Sequence, residues 1–127
     1  MSLSVLNNSL SVSDVNSLVG PSLINLDKID PVNKTSNFSV VDGYNVYIVQ
    51  GAAANVSVTL PPASLNTGRV LHLKNQSSTY TVVSANSDVC PQNSLTPGTA
   101  LIGAVNGNSI SLISNGTYWF IIRQATL

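Results

Sequence analysis

"SISLISNGTYWFIIRQ" (Ser109 to Gln124) is the stretch that decides the fold. Up to Ser114 it alternates between polar and apolar residues, the period of a strand with one buried face. Asn115-Gly116 is a strong hairpin signal, because both residues tolerate the positive φ that tight β-turns demand. Beyond it, Tyr118 to Ile122 is apolar on both faces. Strict alternation puts Tyr118, Phe120 and Ile122 on one side and Thr117, Trp119, Ile121 and Arg123 on the other. The first set is expected to fill the core. The second would then leave a Trp-Ile patch in water, so it is expected to face another copy of the chain.

Working outward, the same period recurs. "ANVSVTL" (54–60) sets Ala54, Val56, Val58 and Leu60 against Asn55, Ser57 and Thr59, and "LPP" ends it because proline cannot donate within a ladder. "YNVYIV" (44–49), "RVLHLKN" (69–75) and "STYTVVS" (78–84) read as further strands. Turn residues separate them at "NTG" (66–68), "NGN" (106–108) and "SNGT" (114–117), and a polar loop spans 85–99. Seven or eight short strands with no helix predict an antiparallel β-sandwich, jelly-roll-like in its connections. The first third contains Gly20-Pro21 and Asp30-Pro31 and has few large apolar residues. It reads as an extended connector over 1–36, leaving 37–127 as the head domain.

Composition supports this fold class. Ser, Thr and Asn number 19, 9 and 15 of 127 residues, and these side chains disfavour helix interiors by competing for backbone hydrogen bonds. Five basic residues balance five acidic ones, giving zero net charge and no field to gather nucleic acid. No apolar run approaches the roughly 20 residues that a membrane-spanning helix needs, so no membrane insertion is expected. The N-terminus lacks the basic start and apolar run of a signal peptide.

Motifs for chemistry are sparse. His72 is the sole histidine, placed mid-strand with no Gly-x-Ser-x-Gly elbow elsewhere, and reads as an outward polar residue. Asp27 and Asp30 form the only close carboxylate pair, in a turn-rich segment beside Lys28 where solvated turn acids are the ordinary explanation. The five aspartates are dispersed and match no calcium loop, and the single Cys90 has no metal-binding partners in sequence. Cys90 reads as a quiet buried or half-buried thiol. The expectation is a non-enzymatic protein with no catalytic residues, no cofactor and no metal.

"VTLPPAS…TGRVLHLKN…STYTVVS…NGNSISLISNGTYWFII" resembles a module of phage tail fibres and viral fibre or spike proteins. The likeness rests on Leu60-Pro61, Gly68-Arg69, Lys74-Asn75 and the closing Leu112 to Trp119, over about residues 54–123. It implies a homotrimeric head on the virion surface that attaches the particle to a host-surface glycan or protein receptor. Trp119, Ile121 and Arg123 then become the expected trimer interface. Receptor contacts are expected at one distal end, from Asn66, Asn86, Asn93, Asn106 and Asn108 in the polar loops, with binding only weakly sensitive to salt. Two other readings suit the same strands: a monomeric carbohydrate-binding module using exposed aromatics, and a capsid-decoration protein that binds no receptor.

Overall fold

A computed structural model describes residues 28–127. They form nine strands and one short 3-10 turn, Ala63–Leu65. Two sheets face each other across one core. The smaller has the order β1 (Phe38–Ser39), β3 (Val56–Thr59), β5 (Val82–Ser84), β7 (Ala100–Ile102). The larger has the order β2 (Val46–Val49), β4 (Val70–Asn75), β8 (Asn108–Ser114), β9 (Trp119–Ala125), β6 (Val89–Cys90). The all-β, two-sheet architecture agrees with the expectation. Among the described residues no helix is long and apolar enough to cross a membrane.

The pairing corrects the expectation of an antiparallel sandwich. Pairs β1–β3, β2–β4, β3–β5 and β6–β9 are parallel, while only β4–β8, β5–β7 and β8–β9 are antiparallel. The cause lies in the connections. From β1 to β8, each strand is followed by one in the opposite sheet; up to β5 the chain winds around the core and returns to each sheet in the same direction, and β7 and β8 then run the other way beside β5 and β4. The "NTG" and "NGN" turns are therefore crossings between sheets and not hairpins. Only β8 and β9 are sequence neighbours that pair. A turn residue reveals where the backbone bends, but it does not reveal which strands will meet.

The sheet also begins earlier than the expected 36/37 boundary. Ile29 bridges Val46 and Lys34 bridges Val49, both parallel, so residues 29–34 extend the larger sheet beyond β2. Residues 1–27 of the expected connector lie outside the described residues.

The core follows the alternation. Tyr47 and Val49 of β2, Leu71 and Leu73 of β4, Ile110 and Leu112 of β8, and Trp119 and Ile121 of β9 point inward from the larger sheet. Val56, Val58, Val82 and Ile102 meet them from the smaller one. Polar side chains buried with them are hydrogen-bonded, apart from the Asn75 Oδ1, which has no partner among the described residues. The Trp119 indole Nε1 donates to the Pro61 carbonyl at 2.9 Å, and the Ser114 hydroxyl donates to the Ala63 carbonyl at 2.7 Å. The Leu-Pro-Pro stretch is thus tied to the last hairpin. Asn75 is fully buried and donates from Nδ2 to the Tyr80 and Gly103 carbonyls at 2.9 and 3.0 Å.

Candidate functional site

The last hairpin overturns the expected division of faces. Trp119 is fully buried and Ile121 is 6% exposed, both within the subunit's own core. They are not an interface with another copy. The expected core set is the outward one: Tyr118 is 37% exposed, Phe120 is half-buried and Ile122 is 52% exposed. Ser114 pairs with Trp119 and Leu112 with Ile121, so the inward face of β8 dictates the inward face of β9.

A β-bulge accounts for the rest. Leu112 pairs with Ile121 but Ser111 pairs with Arg123, leaving Ile122 as the extra residue on β9. Each inserted residue reverses the alternation beyond it. Arg123 therefore lies on the outer side with Phe120, opposite to Trp119 and Ile121, with which strict alternation grouped it. It is exposed.

The hairpin turn sets this register locally. The Asn115 side-chain oxygen accepts from the Thr117 and Tyr118 amides at 2.9 and 3.0 Å, and Gly116 follows at φ +94°. A Cβ on Gly116 would also meet the Thr67 hydroxyl at 3.0 Å, so the turn needs glycine twice over.

The outer face of the larger sheet is consequently ordered in rows by register. At the hairpin-turn end, Val70, Ile113 and Phe120 are adjacent across β4, β8 and β9. The next row is Val46, His72, Ser111 and Arg123, and the third is Ile48, Lys74, Ser109 and Ala125. One end is apolar and the other carries hydroxyls and cations. His72 Nδ1 lies 2.8 Å from the Ser111 hydroxyl. A shallow recess of about 280 Å³ lies over this polar part, lined by His72, Ser109, Ser111 and Arg123 among others.

The five asparagines expected to meet a receptor do not form one surface. Turn 66–68 adjoins the end of β8, since Gly68 N donates to the Ser114 carbonyl. Turn 106–108 adjoins the other end of β4, where Gly107 N donates to the Asn75 carbonyl. The six residues of β4 separate them, on the order of 20 Å at the rise of a strand. Asn86 belongs to the first end, because the carbonyl of Asp88, two residues on, accepts from Trp119 N at 3.0 Å. Asn106 belongs to the second.

Two of the five are also engaged internally. Asn108 is 6% exposed and its side-chain oxygen accepts from the Leu127 amide at 2.7 Å, so it is a structural residue. Asn66 donates to the Pro62 carbonyl at 2.8 Å and accepts from Arg69 at 3.1 Å. Asn86, Asn93 and Asn106 remain exposed. Period and turn signals locate these loops, but they carry no information about which ends of the sandwich they occupy.

Arg69 of the Gly-Arg pair is a positioning residue. Its guanidinium donates to the Asn45 side chain at 2.8 Å and to the Val41 and Tyr44 carbonyls at 2.9 and 3.0 Å, clamping the turn before β2. The Tyr47 hydroxyl accepts from Val41 N at 2.9 Å in the same turn, and burial raises its pKa above the ordinary phenol value. Cys90 is fully buried, and desolvation likewise raises its pKa. The Asp30 carboxyl pairs with Lys34 at 2.7 Å, and that bond lowers its pKa. Among the described residues no three His, Cys, Asp or Glu side chains are grouped so as to hold a metal ion. No protein-family model and no curated protein sequence matches this chain.

Proposed function

We propose that this chain is a subunit of a homotrimeric viral fibre or spike head that attaches the particle to a host-surface receptor. The observation that carries it is the apolar end of the outer sheet face, where Val70, Ile113 and Phe120 form a row flanked by exposed Ile122 and Tyr118. Water against such a row is unfavourable, and a second copy relieves it. Covering the exposed part of Phe120 or Ile122 contributes about 1 kcal/mol each, and a closed ring repeats the gain in every subunit. The likeness of the Leu60-Pro61, Gly68-Arg69, Lys74-Asn75 and Leu112–Trp119 pattern to fibre modules supports the same reading. In it the protein acts by assembly and adhesion, and no catalytic step is assigned.

The test is the mass in solution over a range of concentrations, together with attachment of the protein to glycan-bearing cells. A trimer that attaches supports the proposal. A monomer at micromolar concentration would sink the assembly. A trimer that adheres to no cell or glycan would make it a decoration protein.

A further inference from the structure

We infer that the polar end of the outer sheet face is a binding site for an acidic saccharide, its carboxylate or sulfate held between Arg123, Lys74 and the intervening serines. The inference rests on the attachment reading and names the receptor chemistry. Register builds the site. Ser111 pairs with both His72 and Arg123, and Ser109 with both Lys74 and Ala125, so the side chains project from neighbouring positions on one rigid sheet. Adjacent strands lie roughly 4.8 Å apart, which puts Arg123 and His72 about two such spacings from each other with the Ser111 hydroxyl between them. That span suits one sugar ring.

Charge points the same way. The chain as a whole is neutral, but its pairs are segregated. Asp30 holds Lys34, Asp42 lies 3.7 Å from Arg69, and Asp88 accepts from the Ser84 hydroxyl. Lys28 sits over the Tyr44 ring at 5.3 Å. Lys74 and Arg123 have no ion pair among the described residues, and both are exposed on this one face. Among the described residues, Asp30 lies beyond Val46 at the far edge of the sheet and is paired with Lys34. A guanidinium fork matches the planar oxygens of a carboxylate or the face of a sulfate, and serine hydroxyls bond sugar hydroxyls in either direction. Two cations with one histidine suit one or two oxyanions. A nucleic acid would need a longer track of charge.

The site is open and shallow, so the saccharide is expected to bind weakly in one subunit and to gain avidity when copies present it together. This also revises the salt dependence read from net charge. Attachment through this recess weakens as salt rises, because the contacts are local ion pairs.

The experiment titrates the intact protein with a sialylated trisaccharide, a sulfated disaccharide and neutral lactose, following backbone amide and Arg Nε–H resonances by NMR. The expected result is saturable shifts at Ser109, Ser111 and Arg123 with an acidic sugar and none with lactose. Arg123→Gln and Lys74→Gln should each weaken binding by roughly tenfold or more, with unchanged amide spectra elsewhere. Response to only one acidic sugar tells which oxyanion is recognised. Equal binding of lactose, or full affinity in Arg123→Gln, overturns the inference. Cell attachment is measured in parallel. If it persists in Arg123→Gln, the site is wrong and the attachment reading stands. If acidic sugar binds but no cell does, the site stands and the attachment reading falls.

Discussion

Trp119 carries the most at the scale of single residues. It is fully enclosed, and its indole supplies the partner for the Pro61 carbonyl. Trp119→Ala leaves a large cavity and should cost about 3–5 kcal/mol, unfolding the subunit. Trp119→Phe keeps most of the volume but leaves that carbonyl unpaired, costing about 1–3 kcal/mol. Denaturant unfolding measures both. The indole emission should be that of a buried ring and should not change when the protein is diluted, because its environment is intrachain. Asp30 offers a second residue-scale test. Its carboxyl is held below its usual pKa by Lys34, so its stabilising effect is present above the ordinary carboxylate pKa. That effect fades as pH falls through the lowered value. Asp30→Asn should therefore melt below the native protein at neutral pH, and the gap should close on acidification.

The β8–β9 hairpin is the element on which the faces depend. Ile122 is extra on β9, between the pairs Leu112–Ile121 and Ser111–Arg123. Deleting Ile122 should therefore leave a regular ladder, with Arg123 still opposite Ser111, and a folded protein. Deleting Phe120 instead should drive Ile121 out of the core and prevent folding. Amide spectra of the two deletions distinguish these outcomes. Strict alternation fails on this strand in two ways, and the bulge accounts for Arg123 alone. Trp119 and Phe120 are both large and apolar, so hydropathy alone does not say which points inward. What decides it is the pairing of Trp119 with Ser114 across the hairpin and its hydrogen bond to Pro61, a residue distant in sequence.

At the scale of the whole molecule, assembly is expected to run through the apolar row. Phe120→Ser keeps the inward face intact, so the subunit should fold while its mass in solution falls toward that of one chain. The melting temperature of the native protein should rise with protein concentration, and that of Phe120→Ser should not. Scanning calorimetry at several concentrations checks this. The converse result, a Phe120→Ser protein of unchanged mass, would move the interface elsewhere.

Much of this protein was legible in its sequence because the relevant physics is local. Ser, Thr and Asn excess disfavours helix, period-two stretches such as 54–60 mark half-buried strands, and Asn115-Gly116 marks the β8–β9 hairpin. The buried Cys90 and the outward His72 also follow from their neighbours. Only the tertiary structure decided which strands pair, that most pairs are parallel, which face of β9 is inside, and that Asn66 and Asn106 lie at opposite ends. Alternation distinguishes two faces of a strand without naming the inner one, and a turn reverses the chain without choosing its next neighbour. Both choices are made by packing between residues far apart in the chain, where a one-residue bulge is enough to exchange core for surface.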